Sequence, residues 1–334
     1  MQFGYDKNFI GNGYRSLFMS DFANNALFLK LNTRIWKINY QNIFMELTPQ
    51  FKNAAGTSSA LLDKKYAAMH HLSINVTRWL NVGLFDAVIF GRRNKFEFHY
   101  LNPIIFLRGS EQQVGSSDNA ILGFDFKANV AKRFQFYGQL MLDEFYLKEV
   151  RAGNGWWANK FALQLGGKYI NAFGAKNLDL QGEINMVRPF TYSHTDSTSN
   201  FTHYNQPMAH PLGANFLEAI GIIRYQPHPK WQTSARLILW RQGVDTGNSN
   251  IGINIFKINT TRSGEYGFKL PSGDPVNGIN FQFLVSYEIK ENIFFEASAL
   301  VRSLKTANNN SINTNSSVFT AGIRMNMFRR EYDY

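Results

Sequence analysis

Two adjacent tryptophans, Trp156 and Trp157, stand between Arg151 and Lys160. An indole face stacks on a sugar ring because the ring presents C–H groups to the aromatic plane. A guanidinium close by would meet a sugar carboxylate. The same pair would equally serve an interfacial aromatic girdle or fill the lumen of a barrel. A second group, Tyr192, His194, His203, Tyr204 and His210, is spread through Tyr192–Asn215 with Pro207 and Pro211. A metal would need three or four of these side chains to converge. Their spacing matches no zinc motif, so neither a metal nor a cofactor is expected. Packing of the segment into the mouth of a barrel is expected instead, oriented by Arg188 and Pro189.

Arg92, Arg93 and Arg108 belong to a third candidate, the long Arg92–Asp118 segment, in which Asn102–Pro103 sits in the apolar run Tyr100–Phe106. Such a run does not rest in water at a loop tip, and it is expected to fold back into the lumen as a constriction. The arginines would then line a path for anionic sugars. Pairing with the acids Asp125, Asp143 and Glu183 is the equal alternative. His71 and Ser73 lie two apart on a strand, as the base and nucleophile of a membrane-facing hydrolase would. Leu72, Ile74 and Val76 claim the lipid face, which turns His71 and Ser73 towards the lumen. No catalytic residue is therefore expected. Gly-rich nucleotide loops and paired catalytic carboxylates are not evident.

Strands must position these groups. Period-two alternation dominates, and Asn119–Lys132 is the clearest case. Leu122, Phe124, Phe126, Ala128 and Val130 share one face, and Gly123, Asp125, Lys127 and Asn129 share the other. Phe134–Leu142, Phe281–Ile289 and Ile293–Val301 repeat the pattern. It also runs through Leu27–Trp36, Ile38–Leu47, His71–Trp79, Leu80–Gly91, Phe161–Asn171, Leu178–Val187, Leu217–Tyr225, Trp231–Trp240 and Phe319–Phe328. With residues 1–7 this gives about fourteen strands of roughly 9–11 residues, the length of a tilted membrane crossing. Connections alternate between short and long, as in barrels with short periplasmic turns and long outer loops.

Composition agrees. The chain has 334 residues, 44% apolar and 15% aromatic, with 30 Phe and 15 Tyr. A membrane helix needs about 20 consecutive apolar residues, and no run approaches that, so a membrane crossing must use strands that pair their backbones. There is no cysteine, which excludes a disulfide scaffold and a thiolate metal site. The net charge is +11, but the Lys and Arg residues are scattered, so no nucleic-acid partner is expected. A cationic lumen or affinity for acidic surface polymers fits better. Residues 1–334 read as one barrel domain. No signal peptide follows Met1, so a mature or N-terminally shortened form is expected.

Near the end, Thr320, Gly322, Met325 and Met327 match the spacing of the C-terminal signal read by the barrel-assembly machinery, which is thus an expected partner. The strings at Tyr5–Ala23, Tyr100–Phe106, Leu142–Phe161 and His203–Phe216 resemble, in order, the capsule-assembly Wzi-like family of outer-membrane barrels. The form they resemble is that of the Bacteroidetes, which includes RemB-like gliding-motility proteins. That resemblance implies a bacterial outer-membrane location and a lectin-like role in anchoring capsular or extracellular polysaccharide. It also implies a larger barrel of roughly 16–18 strands, whose opening strands would precede Tyr5. Outer-membrane lipids and lipopolysaccharide would surround it.

The reading is an all-β, antiparallel transmembrane barrel that binds surface polysaccharide. The candidate contacts are Trp156, Trp157, Arg151, Tyr192, His194, Tyr204, Arg92, Arg93 and Arg108. A gliding or adhesion accessory barrel and a diffusion channel are the alternatives.

Overall fold

The computed structural model describes residues 1–49, 63–91, 95–107, 118–306 and 313–326. Arg92, Arg93, Arg108 and Met327 lie outside the described residues.

The strands are β1 (Gln2–Asp6), β2 (Ala26–Ile35), β3 (Ile38–Leu47), β4 (Lys65–Asn75), β5 (Leu80–Phe90), β6 (Asn119–Val130), β7 (Phe134–Glu144), β8 (Lys160–Tyr169) and β9 (Leu178–Val187). They continue with β10 (Thr202–His203), β11 (Gln206–Pro207), β12 (Phe216–His228), β13 (Trp231–Val244), β14 (Asp274–Lys290), β15 (Ile293–Thr306) and β16 (Thr314–Met325). β10 and β11 form a small separate hairpin. All the others join one 14-stranded sheet in which sequence neighbours pair antiparallel, with β9 passing directly to β12. Such a meander pairs every internal strand on both sides, as a chain without water around its backbone requires. Among the described residues, β1 pairs with β2 and β16 with β15, and no ladder joins β1 to β16. The short α-helix α1 (Leu147–Ala152) ends at Gly153, whose φ of 68° is the left-handed conformation that glycine adopts at least cost.

Period two sorts the side chains as the sequence predicts. Leu122, Phe124 and Phe126 of β6 turn outward, while Asp125 faces inward and bonds His71 of β4 at 2.9 Å. Where side chains pack on both faces, the alternation fades. β4 begins at Lys65 rather than near His71 because Ala67, Ala68 and Met69 are all fully buried.

The sheet curls around residues 7–25. Within this segment, Phe18 stacks on Phe85 of β5 with centroids 4.5 Å apart. Tyr14 meets Arg236 of β13, on the opposite wall. Leu17, Phe18 and Met19 form a core with Ile43, Met45, Met69, Phe85 and Ile89, all luminal. Residues 188–215 enter from the same end, the side of the long connections, and add Tyr192, Phe201 and Met208 to that core. Gly123 is required where it stands, because a Cβ there would overlap the Phe18 ring.

The expectation for the run Tyr100–Phe106 is corrected. It does not narrow the lumen. It lies on the outer wall, where Tyr100 and Leu107 pack against Phe44, Ala68, Val88 and Phe90. These four wall residues have the opposite parity to the luminal Met45, Met69 and Phe85. An apolar segment can leave water on either side of a membrane wall, and here it takes the outer one.

Candidate functional site

The lumen is occupied by polar contacts as much as by the core. Glu183 of β9 accepts hydrogen bonds from the backbone of Tyr14 at 2.6 Å and Arg15 at 3.0 Å, and from the Tyr137 hydroxyl at 2.8 Å. Gln139 of β7 accepts from Leu17 N at 2.7 Å. Gln164 of β8 donates to Arg15 O at 3.0 Å, and Lys168 donates to Asn12 O at 3.0 Å. Wall side chains thus take up the backbone groups of a segment that has no regular structure of its own. Residues 7–25 form a plug.

Residues 188–215 form a lid over it, held by two buried lysines. Lys65 donates to Asn200 O at 2.9 Å and Lys160 to Ser193 O at 3.2 Å, while Lys160 also pairs with Asp143 at 3.1 Å. The lid contains three of the predicted contacts, Tyr192, His194 and Tyr204. Tyr192 is buried: its amide donates to Asp143 and its hydroxyl to Leu17 O, each at 2.8 Å. Burial and the Asp143 charge push its phenol well above the usual range. Its φ of 73°, with 64° at Phe190, is a left-handed conformation that bulky residues hold only where packing imposes it.

The lid histidines share one pattern. His194 Nδ1 accepts from Asp196 N at 3.2 Å, His203 Nδ1 from Thr48 N at 3.0 Å and His210 Nδ1 from Leu212 N at 3.2 Å. An imidazole accepting at Nδ1 is neutral. Burial lowers the pKa of all three, in His210 against the opposing Glu218 carboxylate. Among the described residues no group of three or more His, Asp or Glu is placed to hold a metal.

The two tryptophans occupy the outer rim. The connection from β7 to β8 pairs with the connection from β13 to β14: Gly267 N donates to Asn154 O at 2.8 Å, Phe268 N to Gly155 O at 3.0 Å and Trp157 N to Glu265 O at 3.0 Å. Trp157 is pinned there. Its indole donates to Glu265, Arg262 covers its ring at 4.1 Å, and Phe190 meets it edge-on. Trp156 is left half-buried beside Tyr146, lining a cleft of about 250 Å³ with Glu149, Asn154, Arg188 and Lys269. Arg188 fixes the cleft floor by donating to Asn159 O at 2.9 Å and Trp156 O at 3.2 Å. Arg151 is exposed at the end of α1. Tyr204 is also exposed, but it lines a different cleft of about 470 Å³ with Tyr5, Asn25, Glu46 and His203.

The predicted contacts therefore divide. Trp156, Trp157 and Arg151 stand together, Tyr204 lines a separate cleft, and Tyr192 and His194 are buried in the lid. Sequence reasoning did not find Glu149, Asn154 and Lys269. Lys269 lies more than a hundred residues from Trp156, and only the pairing of the two long connections brings them together.

A wall of amphipathic antiparallel strands around a plugged polar lumen defines an outer-membrane-type transmembrane β-barrel. In keeping with this, the chain is similar in structure to Wzi of Escherichia coli, described as an outer-membrane protein involved in group 1 capsule assembly and a carbohydrate-binding β-barrel. The TM-score is 0.60 at 16% identity, covering 97% of this chain and 66% of that one, so the match spans just under two thirds of Wzi. The outer-membrane channel DcaP of Acinetobacter baumannii gives a TM-score of 0.40 at 10% identity, covering 95% of this chain and 91% of that one. No protein-family model matches the sequence, and comparison with curated proteins returns no match.

Proposed function

We propose that the protein is an outer-membrane barrel that binds capsular or extracellular polysaccharide at the cell surface, as a lectin-like anchor without enzymatic activity. The observation that carries this reading is the rim cleft. It offers the half-buried Trp156 as a stacking surface, with carboxylate, amide and ammonium groups of Glu149, Asn154 and Lys269 around it. Carbohydrate sites combine those two elements, an aromatic plane and convergent polar groups. Arg151 and Tyr204 are proposed as further contacts, and Tyr192 and His194 as residues that position the lid. The plugged lumen favours a binding role over free diffusion. Residues 1–334 are read as one domain, surrounded by outer-membrane lipid and lipopolysaccharide and inserted by the barrel-assembly machinery.

The test is genetic. Deleting the gene should strip capsule from the cells, and restoring it should return the capsule. Full capsule retention in the deletion strain contradicts the proposal. Normal capsule with lost spreading on agar would transfer the role to motility.

A further inference from the structure

The outward faces of β3, β4 and β5 carry a polar row, Asn42, His70 and Asp86, paired in register. Apolar rows flank it: Phe44, Ala68 and Val88 on one side, and Tyr40, Leu72 and Leu84 on the other. Along the same level the wall continues as Leu122, Leu142 and Phe161. The polar row is therefore set inside the apolar belt, where uncovered polar and ionisable groups are costly.

Residues 96–107 cover it. The amides of Phe106 and Leu107 donate to Asp86 Oδ2 at 2.6 and 2.7 Å. The Tyr40 hydroxyl donates to Pro103 O. Asn42, His70 and Asp86 are left 4%, 0% and 1% exposed. On its other side the segment presents Phe98, Ile104 and Phe106, exposed by 76%, 69% and 57%. Its deeper part satisfies some of its backbone groups internally, which hydrocarbon favours: Asn102 N donates to His99 O, Ile104 N to the Asn102 side chain, and residue 103 is a proline without an N–H.

We infer that residues 96–107 are a lipid-embedded strap, with Ile104 and Phe106 against acyl chains of the outer leaflet and Asp86 sealed beneath. This rests on the outer-membrane reading. The strap restores an apolar surface over the row where β3, β4 and β5 present Asn42, His70 and Asp86 outward. It joins β5 to β6 on the side of the long connections, which places it in the outer leaflet.

The absence of cysteine makes the test direct. Ile104→Cys, Phe106→Cys, Phe124→Cys and Asn154→Cys are labelled singly with a nitroxide. The full protein is then reconstituted in phosphatidylethanolamine–phosphatidylglycerol vesicles. Collisions with oxygen and with a water-soluble nickel chelate are compared. Phe124 reports the belt on β6, and Asn154 an outer loop. The strap predicts loss of nickel collisions at Ile104 and Phe106 to the level at Phe124. Nickel access equal to that at Asn154, with Phe124 still protected, overturns the strap and leaves the barrel standing. Nickel access at Phe124 as well overturns the membrane reading, and the strap with it. Should Phe106→Cys fail to fold, Ile104→Cys, on the exposed side, carries the result.

Discussion

The plug of residues 7–25 and the strap of residues 96–107 lie against opposite faces of one sheet. Neither belongs to the sheet, and both are held through their backbone amides. Inside, the acceptors are spread over Glu183, Gln139 and the lid, and Gln164 and Lys168 add donors. Outside, a single carboxylate, Asp86, takes two amides. The difference follows from the two solvents. Water can replace a lost contact in the lumen, so many modest polar contacts suffice there. Hydrocarbon replaces none, so the polar anchoring is gathered under cover and apolar side chains are turned outward.

Four changes probe that contrast, the largest first. Asp86→Ala removes two charge-assisted hydrogen bonds from a dry site and should cost about 3 kcal/mol or more, read as a lower urea midpoint of the folded barrel. Glu183→Leu removes more bonds, but water can enter, so a smaller loss of about 2 kcal/mol is expected. It should also loosen the plug and raise bilayer conductance above the wild type. A larger loss for Glu183→Leu than for Asp86→Ala would break the comparison. Gly123→Ala drives a methyl group into the Phe18 ring and should cost about 1–3 kcal/mol, seen as faster proteolysis within residues 7–25.

Acidification should act least, and on the lid alone. His194, His203 and His210 have folded pKa values lowered by burial. The unfolded lid therefore binds more protons below the ordinary histidine pKa of about 6.5, and stability is lost as pH falls through that value. Hydrogen exchange at pH 5 should rise in residues 188–215 and stay level in the strap.

The strands were legible because side chains of opposite character alternate on β6, β7, β14 and β15. β4 was misplaced for the reverse reason. The lid covers its inner face and the strap its outer face, so Ala67, Ala68 and Met69 carry no alternation. The side taken by the strap also had a signal. With Leu72 and Ile74 outward, parity puts His70 outward too, and Asp86 pairs with it. Polar residues on a lipid face need a cover, and the nearest apolar segment is the one after β5. The rim cleft had no such signal, since it depends on pairing between loops distant in sequence.

Glycan binding by the purified full-length protein in nanodiscs tests the central claim most directly, comparing wild type with Trp156→Ala. The proposal predicts saturable binding of the cell's own capsular polysaccharide, weakened about tenfold or more by the substitution, a loss of roughly 1.4 kcal/mol. No binding by the wild type, or equal binding by both, would contradict it.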